Sequence, residues 1–213
     1  RHAGFDVVTY VGNSTGDYSG MSQAIPHNLG KSPEMIWCKN RDASGYWGVY
    51  HKGLNGGTNP ENYRMLLNDT HAESAASGAY TNWYWNNTAP TATHFSVGEV
   101  PNVNAQNNKI IAMLFASVSG ISHVGSYSGS GSTGNAQNIG FQPRFLIIKR
   151  RSATSDWMYF NSLSGFDKYK QLNTNQQEYS QTYVNVSATG FSLVSDYGDT
   201  NESGSTYIYY AHA

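Results

Sequence analysis

The chain is short of charge. Asp, Glu, Lys and Arg make up only 13% of its 213 residues, and the net charge is −1; about 25% is usual for a globular domain. The basic residues are scattered apart from Lys149-Arg150-Arg151, so the concentrated positive face that a nucleic-acid partner requires is missing. A single cysteine, Cys38, excludes an intrachain disulfide. No window approaches 18 consecutive apolar residues, which leaves no membrane-spanning helix and argues against membrane insertion. The histidines are dispersed, with no His-x-His or His-x-x-x-His pair, so a zinc site has no support and no cofactor is expected. The chain opens Arg1-His2 without a charged-then-apolar leader, which reads as a fragment or a processed product.

What is present instead is Gly, Ser, Asn, Thr and Tyr, with 22 glycines and 16 tyrosines. These are the residues of turns and of half-buried strands. Short apolar or aromatic runs recur, bounded by Gly, Pro, Asn and Ser: 35–38, 110–115, 145–148 and 207–210. Runs of that length, so bounded, predict buried strands at the centre of a sandwich. The one trace of helical spacing lies at 59–67, where Pro60 would occupy a first helical turn. The expected fold is all-β, of the antiparallel sandwich or jelly-roll kind.

An internal repeat organises the chain. Gly30, Pro33, Lys39, Arg41 and Trp47 match Gly140, Pro143, Lys149, Arg151 and Trp157, each at an offset of 110. Upstream, Tyr10-Val11-Gly12-Asn13 matches Tyr127-Ser128-Gly129-Ser130; downstream, Leu67-Asn68 matches Leu172-Asn173 and Phe95-Ser96-Val97 matches Phe191-Ser192-Leu193. Asn104 to Ala116 lines up with Asn201 to Ala213. We therefore expect two tandem, duplicated β-sandwich units, 1–116 and 123–213, joined by a linker at 117–122. The excess length of the first copy falls in an elaborated loop at 69–94.

Several stretches carry candidate chemistry. In a strand, Lys39 and Arg41 would share a face, as would Lys149 and Arg151; Arg41 and Arg151 are thus candidate contacts for an anionic ligand. The alternative is that Lys-x-Arg marks the strand's exit into solvent. Trp47 and Trp157 read as strand packing more readily than as sugar platforms. The stretch Thr-Asn-Trp-Tyr-Trp-Asn-Asn at 81–87 shows no counterpart in the second copy. Extended, it would place Trp83 and Trp85 on one face and Tyr84 on the other. Trp83, Tyr84, Trp85 and Asn86 are the candidate glycan contacts, since a pyranose stacks its C–H face on a ring and bonds its hydroxyls to amides. Glycan cleavage would need two carboxylates at roughly 5–10 Å, and sequence alone selects no pair. Asp196, Asp199, Asn201 and Glu202 form an oxygen-rich stretch without the spacing of a calcium loop. Cys38, inside an apolar strand, reads as an inert core residue.

The order Tyr-x-Gly-(Asn/Ser), Gly-x-x-Pro, an apolar strand ending Lys-x-Arg, Trp, Leu-Asn, Phe-Ser-(Val/Leu), and a terminal aromatic strand ending in Ala resembles a duplicated β domain of phage virion proteins. Such domains occur in tail fibres and other structural proteins of marine and cyanobacterial phages. The resemblance spans nearly the whole chain. It implies a non-enzymatic module of a tail fibre, tail tip or capsid appendage, located in the virion and thus extracellular. The implied partners are other virion subunits in a homo-oligomer, with a trimer favoured, and a host-surface glycan. A purely structural fibre or capsid-decoration module, and a glycan-cleaving enzyme with a concanavalin-like sandwich, are the rival readings.

Overall fold

A computed structural model describes residues 4–16, 20–76 and 83–213. Two compact units are formed: Arg1–Leu67 with Glu73–Ala116, and Ser117–Ala213 with Asn68–Ala72.

In the first unit the strands are β1 (Phe5–Val11), β2 (Gln23–Pro26), β3 (Met35–Asn40), β4 (Gly48–His51), β5 (Tyr63–Leu66), β6 (Ser74–Ala75), β7 (His94–Val97) and β8 (Lys109–Phe115). A six-stranded sheet runs β1-β8-β3-β4-β5-β6, and β2 pairs β7 in a second, smaller sheet. First strand with last, and second with next-to-last, is the nested antiparallel pairing of a jelly roll.

The second unit repeats this plan with β9 (Ser122–Ser128), β10 (Asn135–Asn138), β11 (Phe145–Arg150), β12 (Trp157–Asn161), β13 (Gly165–Gln171), β14 (Tyr179–Ser180), β15 (Val184–Ser187), β16 (Gly190–Leu193) and β17 (Thr206–His212). Its large sheet runs β9-β17-β11-β12-β13-β14 and its small sheet β10-β16-β15. The chain is all-β, and the two units are copies of one sandwich.

Each sandwich closes over a core drawn from both of its sheets. In the first, Ile25, Phe95 and Val97 of the small sheet meet Ile36, Cys38, Ala112 and Leu114 of the large one. In the second, Val184, Phe191 and Leu193 meet Leu146, Ile148, Met158 and Phe160. Burying each such side chain contributes about 1.5–3 kcal/mol.

The repeated motifs acquire physical reasons. The Tyr10 hydroxyl donates to Val103 O (2.6 Å), and the Tyr127 hydroxyl donates to Thr200 O (2.5 Å). Two residues on, a Cβ at Gly12 would stand 2.1 Å from Ala105 O, and one at Gly129 2.1 Å from Glu202 O. Only glycine allows that approach. Asn104 and Asn201, both fully buried, pin the same junction. Asn104 Oδ1 accepts from Asn13 N–H (3.1 Å) and its amide donates to Gly98 O (2.7 Å); Asn201 Oδ1 accepts from Ser130 N–H (3.0 Å) and its amide donates to Ser195 O (2.8 Å).

At 59–67 the helical spacing gives one 3-10 turn, Pro60–Asn62, before the backbone extends into β5. Met65 and Leu66 are buried there, so burial in the sheet outweighs a weak helical pattern.

Candidate functional site

Residues 77–82, which fall in the 69–94 loop and include Thr81 and Asn82 of the aromatic stretch, lie outside the described residues. The rest of that stretch differs from the extended, alternating geometry expected of it. Asn86 (φ 53°) and Asn87 (φ 47°) occupy the left-handed region, and Thr88 N–H closes the turn on Trp85 O at 3.1 Å. Asparagine tolerates that conformation better than most residues. The turn ends alternation, and Tyr84 and Trp85 both enter the core, 4% and 2% exposed. Tyr84 lies over Gly48, where a Cβ would stand 2.8 Å from its ring. Its hydroxyl accepts from Asn102 Nδ2 at 3.0 Å. Tyr84 and Trp85 are therefore core side chains, and the aromatic that retains solvent contact is Trp83; Asn86 is half-buried and does not line the Trp83 cleft.

Nor does the stretch lack a counterpart. Tyr84 O accepts from Gly98 N–H (2.9 Å) just as Tyr183 O accepts from Val194 N–H (3.1 Å), and Gly98 and Val194 follow the equivalent strands β7 and β16. Tyr84 thus corresponds to Tyr183 and Trp85 to buried Val184. A tryptophan and a valine fill one slot, and the identities Tyr84–Tyr183 and Asn86–Asn185 are too few for sequence to reveal the match.

Trp83 forms one wall of a shallow surface cleft, lined also by Glu61, Asn62, Arg64, Tyr84 and Asn87. The Arg64 guanidinium carbon lies 4.8 Å from the centre of the Trp83 ring and 5.6 Å from that of Tyr84, a double cation–π contact. Arg64 Nε and Nη1 are buried and have no hydrogen-bond partner among the described residues. Unpaired buried donors of a charged group are costly and rare. Arg64 is a residue that sequence reasoning missed, because a lone arginine in a short strand carries no signal.

The Lys-x-Arg pairs separate. Arg41 is exposed and Arg151 half-buried, each just beyond its strand, with backbone N–H bonded to Lys109 O and Thr206 O (2.9 Å each). Arg41 does not line the Trp83 cleft. Lys39 stays partly exposed and donates to Ala43 O at 2.9 Å. Lys149 does not leave the strand for solvent as strand exit would require. It is fully buried, and its amine donates to Arg150 O (2.9 Å), Ser155 Oγ (3.0 Å) and Thr70 O (3.2 Å). Burial lowers its pKa to about 8, against the pull of Asp199, Asp156 and Asp69.

Asp156 and Asp199 are brought together in the second unit. Asp199 accepts from the Asp156 N–H (3.3 Å), and burial raises its pKa despite hydrogen bonds from Tyr197 and that N–H. Both Asp156 oxygens are occupied, by Gln171 Nε2 (2.5 Å) and Asn173 Nδ2 (2.7 Å). Two fixed amides make Asp156 an anchor for the β12–β13 hairpin rather than a free nucleophile. In the oxygen-rich stretch, Asn201 is committed to the strand junction and Glu202 pairs with Arg150. Among the described residues, no three His, Cys, Asp or Glu side chains converge on one point. Cys38 is fully buried and its thiol is pushed up to about 12, so it holds its proton at neutral pH.

The chain belongs to the family described as domain of unknown function DUF7483, which matches residues 1–213. No curated protein and no solved structure matches it.

Proposed function

We propose that the chain is a non-enzymatic module of a phage virion appendage, a tail fibre or tail tip acting outside the cell, and that it holds a host-surface glycan in the Trp83 cleft. The observation that carries this reading is Arg64: a guanidinium stacked on Trp83, with two N–H donors that have no hydrogen-bond partner among the described residues. The stacked cation favours the carboxylate of an acidic sugar by charge, while the Trp83 ring supports a pyranose face and Asn62, Asn87 and Glu61 are at hand for hydroxyls. Few charges and abundant Tyr, Ser, Asn and Gly suit an adaptable recognition surface.

Titration of glucuronic acid and N-acetylneuraminic acid against the wild type, Trp83→Ala and Arg64→Gln tests it. Both substitutions are expected to weaken binding at least about tenfold, the loss of one charge-assisted contact. Unchanged binding in both would sink the site.

A purely structural role draws support from the edge strand β1, where Val7 and Val11 are 47% and 57% exposed. An unpaired edge invites strand addition by another subunit. Light scattering after size exclusion separates the two: a trimer that dissociates when Val7 and Val11 become lysine, with no saccharide binding, favours the structural role.

A further inference from the structure

The duplication sets a second aromatic cluster at the equivalent place in the second unit. Ladder registers align Arg64 with Tyr169 and its cross-strand neighbour Ser74 with Tyr179. Tyr84 corresponds to Tyr183, and Asn102 to Asp199 through the aligned terminal segments. Where the first unit has one tyrosine, one tryptophan and a cation, the second has four tyrosines and a carboxylate.

Their geometry is a continuous chain of rings. Tyr179 stacks on Tyr169 (5.1 Å, 20°), Tyr169 tilts against Tyr183 (5.3 Å, 53°), and Tyr183 lies parallel to Tyr197 (4.1 Å, 7°). Tyr169 is buried, whereas Tyr179, Tyr183 and Tyr197 keep part of their surface in solvent. The reason is local packing. Gly48 leaves the space that Tyr84 enters, but its counterpart in the second unit is Met158, which is fully buried and fills that space. Tyr183 is thereby held outward, against Tyr197.

The position matters as well. β14 is an edge of the large sheet and β15 an edge of the small one, so the tyrosines sit along the open side between two sheet edges. A plain core plug there would be Phe or Leu. Instead the cluster presents phenol groups, and at its end Asp199 accepts from the Tyr197 hydroxyl with lone pairs to spare on its two oxygens.

We infer that the second unit carries its own saccharide site, formed by Tyr179, Tyr183, Tyr197 and Asp199, and that it takes a neutral sugar. The rings supply flat apolar surface for C–H faces at low entropic cost. Asp199 accepts hydrogen bonds from the sugar's hydroxyls, and a carboxylate where the first unit has Asn102, with Tyr169 where it has Arg64, turns away acidic sugars. This inference rests on the glycan-binding reading of the fold but not on the Trp83 cleft itself.

The test uses substitutions that the first unit already makes at these positions, Tyr179→Ser and Asp199→Asn, so the sandwich tolerates them. Methyl glycosides of galactose, glucose, mannose and N-acetylglucosamine are titrated into the full chain labelled in its tyrosine rings and tryptophan indoles, with NMR as the readout. At least one neutral glycoside is expected to shift tyrosine resonances and leave the Trp83 indole still, with affinity reduced at least about tenfold in each variant. Glucuronic acid is expected to do the reverse. Neutral glycosides that move no tyrosine signal, or that bind both variants as tightly as the wild type, overturn the second site. If glucuronic acid still moves Trp83 in that case, the first reading survives alone; if no saccharide moves either set, both fall.

Discussion

Replacing Lys149 by methionine removes the fully buried amine while retaining an unbranched side chain of similar length. In the folded state burial lowers the lysine from 10.5 to about 8, whereas the unfolded chain keeps the ordinary value. At pH 7 both states hold the proton, and the folded state carries a penalty of about 3 kcal/mol for charging the buried group. Between pH 8 and 10.5 the unfolded chain binds more protons than the folded one, so raising the pH through this window adds stability. From about pH 7 to about pH 9.5 the wild type should gain about 2 kcal/mol from this one group. Tyrosines of the unfolded chain begin to ionise near the top of that interval, but they and the other titrating groups are common to both proteins and cancel in the difference. The groups facing the amine are Asp199, Asp156 and Asp69, which hold its pKa up, and Arg150, which works against them. Methionine leaves Thr70 O, Arg150 O and Ser155 Oγ without their donor, which adds a constant cost but no slope. Urea unfolding of both proteins across that interval is the assay. The stability difference, variant minus wild type, should fall by about 2 kcal/mol as the pH rises. A difference flat to within about 0.5 kcal/mol would refute the depressed amine, and with it the claim that Lys149 is folded into a low-dielectric site.

Four further substitutions test the fold's account of its own motifs. Asn201→Ala strands the Ser130 N–H and the Ser195 and Ser132 carbonyls in a buried junction and should cost about 2–4 kcal/mol in denaturant unfolding, with Asn104→Ala costing a similar amount in the first unit; a loss below about 0.5 kcal/mol would show that the junction is held otherwise. Trp85→Ala empties a core site that is 2% exposed and should cost about 3–5 kcal/mol, whereas Trp83→Ala, at the cleft wall, should stay within about 1 kcal/mol in the same assay.

The architecture was legible because a duplicated chain states its constraints twice. Tyr10 and Tyr127, Gly12 and Gly129, Asn104 and Asn201 recur because the first strand and the run before the last strand must meet at one spacing, through a phenol, a missing Cβ and a buried amide. Motif identity therefore reported scaffold. The candidate site was legible only in part. Trp83 stood out by type, but its neighbours Tyr84 and Trp85 face inward because a turn at Asn86-Asn87 cancels the alternation that a strand would impose. Arg64 gave no sequence signal because its role depends on the rings that happen to cross it. Lys149 resembled Lys39 in every local respect, and its different fate depends on Ser155 and on Thr70, a residue 79 positions away in sequence.

Positions where the two copies differ divide into compensated and uncompensated ones, and the distinction locates function better than difference alone. Trp85 against Val184, and Gly48 against Met158, trade volume between neighbouring buried sites, so each core remains filled. Packing accounts for those changes completely. Arg64 against Tyr169, and Asn102 against Asp199, change charge on the open side of the sandwich, and no neighbouring change restores the first unit's chemistry in the second. Stability does not require a guanidinium with two donors unpartnered among the described residues in one copy and a carboxylate beside three half-exposed phenols in the other. A pair of surfaces with opposite charge, kept at one place on a duplicated scaffold, is what divergence toward two different ligands would leave.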